Sequence, residues 1–206
     1  MSFYEERILP HLIGLACGAP QIMKQRSLLV PEAEGRVLEI GFGAGPNLGF
    51  YDPAKVERLF ALEPSAGMRR KAAPAIAASP LEVEVIDLPG EEIPLDDASM
   101  DTIVLTYTLC TIPDTVAALA QMRRVLKPGG RLLFSEHGAA PDEAVAKWQR
   151  RIEPIWKPIA GGCHLTRKPD ALLQEASFKI ESLDQAYLPR SPKFAACNYR
   201  GVARLA

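Results

Sequence analysis

Residues 36–45 read Arg-Val-Leu-Glu-Ile-Gly-Phe-Gly-Ala-Gly. The first half, RVLEI, is short and mostly apolar, the pattern of a buried strand. Three glycines then alternate directly after it, at Gly41, Gly43 and Gly45. Glycine is needed where a backbone turns sharply or must come close to a ligand. In open α/β sheets that ligand lies beyond the carboxyl ends of the strands, at a topological switch point. A structural turn is the alternative reading of such a loop. The dinucleotide fingerprint G-x-G-x-x-G would need glycine at position 46, where Pro46 stands. The chain instead reads acidic-x-G-x-G-x-G, which suits a ligand with no pyrophosphate to cradle. Glu39 supplies a carboxylate at the strand end, suited to an ammonium group or its water shell.

Working outward, the order of elements is that of an α/β protein. Residues 3–29 read as one or two helices, broken near Gly18-Ala19-Pro20. Residues 46–50 look like the start of a helix, and 58–63 (RLFALE) is the next strand. Ser65 caps a helix toward position 78, which Pro74 kinks or shortens. Strands follow at 82–87 and 102–106, then a helix capped by Asp114 whose Val116, Leu119, Met122, Val125 and Leu126 share a face. Lys127-Pro128-Gly129-Gly130 stops it, and 131–135 is a fifth strand. A helix at 142–156 precedes two closing strands, 178–188 and 193–202. Strands alternating with helices predict parallel pairing with right-handed crossovers. The expected fold is therefore a Rossmann-like, seven-stranded, mostly parallel sheet with an antiparallel C-terminal hairpin and helices on both faces. Residues 1–34 are expected as a helical lid and 35–206 as the single compact domain.

Bulk properties narrow the function. The chain has 206 residues, 48% hydrophobic and 24% charged, the balance of one globular domain. A net charge of −1 argues against a nucleic-acid surface. The four cysteines, Cys17, Cys110, Cys163 and Cys197, form no C-x-x-C pair and no zinc-like spacing, so no metal is expected. A reducing cytoplasm is the simplest setting. The first residues lack the basic start of a signal peptide. The apolar run 8–19, broken by Pro10 and His11, falls short of the ~20 residues of a transmembrane helix.

Glu63 closes the second strand, roughly twenty residues past the last glycine. A carboxylate there can accept hydrogen bonds from both hydroxyls of a ribose, as acidic residues do in NAD sites. A solvated strand-end charge is the alternative.

With the glycine loop, these residues resemble the class I S-adenosylmethionine-dependent methyltransferases. The likeness extends through residues 89–101 (PGEEIPLDDASMD) and 124–133 (RVLKPGGRLL). Leu109-Cys110-Thr111, Glu136-His137 and residues 161–167 (GGCHLTR) are similar to the methyltransferase-like seven group, which includes small-molecule thiol methyltransferases. Those relatives carry a hydrophobic amino-terminal anchor for which this chain has no equivalent length. The resemblance implies S-adenosyl-L-methionine as cofactor. It implies that Gly41, Gly43 and Gly45 line the methionine part and that Glu39 holds its amino end through a network. Glu63 would bind the ribose, Pro64 would pack on the adenine, and Gly90 and Glu91 would meet the adenine edge. Thr106 and Tyr107 would flank the sulfonium and the substrate.

Methyl transfer from a sulfonium is a displacement, so the protein mainly aligns the acceptor and excludes water. A thiol acceptor, with a pKa of about 8.5, needs modest help from a base. His137, ending the fifth strand, is the first candidate for that base, and a structural histidine is the alternative. His11 and His164 are further candidates. Tyr4, Tyr107, Trp148 and Trp156 either build an apolar acceptor pocket or pack the core. Cys110 reads as buried packing, and Cys163-His164 is too small a pair to hold a metal alone. The expected partner is a small-molecule methyl acceptor, with a thiol favoured over an amine, phenol or lipid. A nicotinamide-dependent oxidoreductase on the same fold is the alternative enzyme, and a binding module without turnover the alternative to catalysis.

Overall fold

The computed structural model describes residues 17–206. Strand β1, Gly35–Ile40, lies in the interior of the sheet, and its side chains go alternately to two cores. Leu38 and Ile40 join one buried cluster, and Val37 joins the other. Burial on both faces explains why RVLEI shows no polar alternation.

Around β1 run β2 (Val56–Leu62), β3 (Val83–Ile86), β4 (Met100–Thr106), β5 (Leu126–His137), β6 (Phe178–Tyr187) and β7 (Cys197–Leu205). The sheet order is β3-β2-β1-β4-β5-β7-β6. Strands β1 to β5 pair in parallel, whereas β7 is antiparallel to both β5 and β6. This is the Rossmann-like, mostly parallel sheet with an antiparallel C-terminal pair read from the sequence. The strand order reverses between β1 and β4, so the glycines after β1 sit at the switch point.

Helices cover both faces. Helix α1 (Pro20–Leu29) and α2 (Ala66–Ala77) place Leu29 and Ala72 against Val37, Leu59, Val104 and Leu133. Helix α3 (Thr115–Val125) places Leu119 and Met122 against Leu38, Ile103 and Phe134 on the other face. Asp114 and Ser65 cap α3 and α2 through Ala117 N–H and Met68 N–H. Helices α4 (Glu143–Ile159), α5 (Pro169–Glu175) and α6 (Lys193–Ala196) complete the chain. Leu29, Val30 and Ala33 are fully buried, so the stretch before β1 is built into the core. The remainder of the expected lid, residues 1–16, lies outside the described residues.

Several local expectations change. The helix expected at 46–50 is a single 3-10 turn, Leu48–Phe50. Buried Asn47 and Tyr51 flank it, and both hydrogen bond to Glu39, which ties the chain to β1. Helix α2 continues through Pro74 because that residue is exposed, leaving water to serve the freed carbonyl. The turn at 127–130 survives only as a bulge inside β5: Met100 pairs Leu126, and Thr102 pairs Arg131. The last strand begins at Cys197, after the short α6.

Strand β7 crosses β5 and β6 closely at Gly201. A Cβ there would lie 2.2 Å from the Ser182 carbonyl oxygen and 2.7 Å from Phe134 Cζ. Gly201→Ala is expected to destabilise the fold by about 1–3 kcal/mol. Urea unfolding followed by circular dichroism measures it, and an unchanged midpoint would show that this contact yields without strain.

Candidate active site

A cavity of about 370 Å³ opens at the carboxyl ends of β1, β2 and β4, within the size range of small-ligand pockets. Its wall includes the 41–44 backbone, Glu63 and Pro64 after β2, Gly90 and Glu91 after β3, and Thr106 and Tyr107 after β4.

The glycine loop is shaped by both neighbours of β1. Gly41 and Phe42 donate their N–H groups to the Leu62 carbonyl at 2.9 and 3.0 Å. A Cβ on Gly41 would strike the Thr108 side chain at 2.3 Å. Gly43 has φ +61, and among the described residues nothing comes nearer than 4.0 Å to a Cβ placed there. Its N–H donates to Glu63 Oε2 at 2.8 Å, and Ser65 N–H donates to Glu63 Oε1 at 2.8 Å. The 63 carboxylate thus braces the loop while lining the cavity, and burial pushes its pKa up. Gly45 stands outside the lining and packs toward Phe42 and Leu48.

Glu39 also lies behind the lining. It is fully buried and accepts hydrogen bonds from Asn47 Nδ2 at 2.9 Å and Tyr51 OH at 2.7 Å. Asn47 Nδ2 also donates to Thr106 Oγ1 at 3.0 Å. Arg26 Nη1 donates to Asn47 Oδ1 at 2.8 Å and Thr106 Oγ1 at 2.7 Å. Arg26 reaches the cavity wall and packs over the Tyr107 ring at 5.2 Å, and its buried Nε has no hydrogen-bond partner among the described residues. The network expected of Glu39 therefore ends in a cation rather than in the carboxylate itself. Arg26, Asn47 and Tyr51 were not legible as site residues, because their partners are distant in sequence and no spacing marks them.

The other candidates are dispersed. The Tyr107 ring lines the cavity, but its hydroxyl turns away to donate to Asn198 Oδ1 at 2.7 Å. His137 is not part of the lining, and its Nε2 lies 2.8 Å from Cys163 Sγ. His164 Nδ1 meets Glu153 Oε1 at 3.2 Å, also away from the cavity. Trp148 is exposed and Trp156 packs edge-on against Phe194, so neither builds the pocket. Tyr4 and His11 lie outside the described residues.

A sheet of this order with a glycine cradle and a carboxylate at its switch point defines a nucleoside-cofactor enzyme fold. Residues 38–134 match the family described as "Methyltransferase domain". The chain is 37% identical over 155 residues to the rat (Rattus norvegicus) protein "Thiol S-methyltransferase TMT1B", covering 73% of this chain and 63% of that one. It is 32% identical over 177 residues to human (Homo sapiens) "Thiol S-methyltransferase TMT1A", covering 84% of this chain and 72% of that one. Among solved structures, the 1,6-didemethyltoxoflavin-N1-methyltransferase of Burkholderia thailandensis superposes with a TM-score of 0.70 at 18% identity. The match covers 96% of this chain and 84% of that one. The chain belongs to the S-adenosylmethionine-dependent methyltransferases, in the family that holds TMT1A and TMT1B. It spans 63% of the length of the rat relative. No helix among the described residues is long and apolar enough to cross a membrane.

The residues present fit the family's cofactor. Buried Glu91 Oε2 has no partner among the described residues while Glu91 lines the cavity, an acceptor suited to an amino group on a base. The Arg26 guanidinium suits a carboxylate.

Burial without a facing charge of full strength raises the Glu39 pKa from 4.5 to about 7, with Arg26 and the Tyr51 and Asn47 hydrogen bonds opposing. Glu136 moves likewise, to about 7. The folded state therefore binds protons that the unfolded chain has released. This contribution to stability is whole below the unfolded value of 4.5 and is lost as pH rises through about 7. The thermal midpoint is expected to fall between about pH 5 and pH 8, and Glu39→Gln is expected to flatten part of that fall. Scanning calorimetry across the window is the check, and a midpoint rising with pH would refute the assignment.

Proposed function

We propose that this protein transfers the methyl group of S-adenosylmethionine to a small thiol, in a reducing cytoplasm. One observation carries the reading: one cavity is lined by a bare glycine backbone, a strand-end carboxylate, a Glu91 oxygen without a partner among the described residues, and a buried guanidinium. Together these match the four recognition needs of an adenosyl amino acid. Glu63 takes the ribose hydroxyls, using lone pairs left free by Gly43 and Ser65. Pro64, Gly90 and Glu91 take the adenine, and the loop from Gly41 to Ala44 takes the methionine chain. Arg26, held by Asn47 and Thr106, takes its carboxylate. Glu39 acts one step back, by orienting Asn47.

The cofactor supplies an activated methyl group when bound. The chain aligns the acceptor against it and keeps water out. Tyr107, Ile112 and Pro113 give the acceptor an apolar wall, with Cys17 and Gly161 beside it. A thiol suits this wall because it ionises near neutral pH without a strong base. His137 and the Tyr107 hydroxyl are engaged elsewhere, so the reading uses neither as the base. The thiol acceptor is supported by the names of the relatives, both thiol S-methyltransferases. The compartment is supported by Cys17, Cys110, Cys163 and Cys197, all free thiols.

Calorimetry is expected to show binding of S-adenosylmethionine and of its demethylated product. Glu63→Ala is expected to weaken both by about tenfold or more, the loss of about 1.4 kcal/mol of hydrogen bonding. Gly43→Val, which forces a β-branched residue to positive φ, is expected to abolish binding. Arg26→Gln is expected to weaken S-adenosylmethionine yet leave 5′-methylthioadenosine, which lacks the carboxylate, unchanged. Labelled cofactor is then offered with alkyl thiols, hydrogen sulfide, amines and phenols. Absence of heat with either cofactor form overturns the reading. Methyl transfer to an amine or phenol in place of thiols overturns the acceptor.

A further inference from the structure

Beside the cavity, three soft ligand groups converge that the methyl-transfer reading leaves unused. One ring nitrogen of His137 and the Sγ atoms of Cys110 and Cys163 all lie within 4.8 Å of one another. His137 Nε2 is 2.8 Å from Cys163 Sγ. The two cysteines are 4% and 8% exposed. We propose that Cys110, His137 and Cys163 form a binding site for one zinc ion.

The donor set selects the metal. Thiolate and imidazole ligands favour zinc, and hard cations such as magnesium and calcium prefer oxygen. Tetrahedral zinc, with bonds of about 2.3 Å to sulfur and about 2.0 Å to nitrogen, holds its ligand atoms roughly 3.5 Å apart. The ligand atoms lie within 4.8 Å of one another, and an entering ion must spread the His137–Cys163 pair from 2.8 Å. Binding releases one proton from each thiol to solvent, while neutral His137 gives a ring-nitrogen lone pair. Two thiolates then balance the dication, so no net charge is buried. Three protein ligands leave the fourth position for a water molecule.

Each ligand is fixed by a different part of the fold. His137 ends β5, where it pairs with Asn198 of β7. Cys110 lies in the loop after β4, which Arg167 Nη1 clamps through the Leu109 and Ile112 carbonyls at 2.5 and 2.8 Å. The loop after α4 is joined to it by the His164 N–H, which donates to the Cys110 carbonyl at 2.9 Å. Cys163 itself is held by a bond from its N–H to the Ala160 carbonyl at 3.2 Å. Core packing alone gathers apolar groups and does not require two thiols and an imidazole to meet.

The consequence lies next to the active site. Thr111 and Ile112, from the first loop, and Gly161, from the second, line the cavity. A zinc ion bridging the loops fastens the acceptor side of that cavity.

The test uses the full chain, reduced and stripped with a chelator. Zinc is titrated in competition with a chromophoric chelator, and cobalt(II) is used as a spectroscopic substitute. The expected result is one zinc per chain with release of two protons, and thiolate-to-cobalt charge-transfer absorption. Cys110→Ser and Cys163→Ser are each expected to weaken zinc roughly 100-fold or more, at or beyond the top of the range for losing an outer-sphere partner. Cys197→Ser is expected to bind as the parent does. Binding of the demethylated cofactor by every variant confirms that each is folded, and keeps a failure here distinct from a failure of the methyltransferase reading. A folded, reduced chain that takes up no zinc overturns the proposal, as does undiminished uptake by the Cys110→Ser/Cys163→Ser double variant.

Discussion

Glu39 is a carboxylate placed inside the sheet, and much of the site is arranged around that fact. An isolated charge in the interior is expensive unless it is hydrogen bonded and paired. Here Tyr51 and Asn47 supply the hydrogen bonds, and Arg26 adds a cation joined to the same Asn47. Those partners come from α1 and from the segment after the glycine loop, while Glu39 itself stands in β1. Satisfying one buried group therefore draws together the helix before the sheet, the first strand and the turn after it. Thr106 closes the network from β4, the strand on the other side of the switch point.

Glu63 does a comparable job on the surface of the cavity. Its two oxygens take N–H groups from Gly43 and Ser65, so one side chain sets both the glycine loop and the start of α2. The loop is held open from below by Thr108, whose side chain fills the space that a Cβ on Gly41 would need. A cavity results whose backbone is bare yet stiff. Such preorganisation matters for a displacement reaction, where alignment supplies most of the rate gain left to the protein.

The sheet and its order of elements were readable because they rest on local patterns. Apolar runs such as RVLEI and TIVLT can be satisfied only by burial on both faces, and Asp114 and Ser65 cap their helices through bonds three residues away. Expectations failed where a local signal met a distant partner. The turn at 46–50 lost its helix to the hydrogen bonds of Asn47 and Tyr51. Pro74 was tolerated because its side of α2 faces water. His137, at the strand end where a base would be sought, turned instead toward Cys163, a residue from a remote loop.

By itself the sequence determined the α/β class, the switch-point loop and the strand-end carboxylate, since each is written in residues that are close along the chain. It also carried Gly41, Gly43, Glu63, Gly90, Glu91 and Thr106 to one cavity. Only the tertiary structure decided that Arg26 presents the charge for which Glu39 is the buried anchor, and that Cys110, His137 and Cys163 meet. Their encounters depend on how α1 and the loops after β4, β5 and α4 pack in space. Packing of that kind follows from the summed burial of a whole core, which no short spacing records.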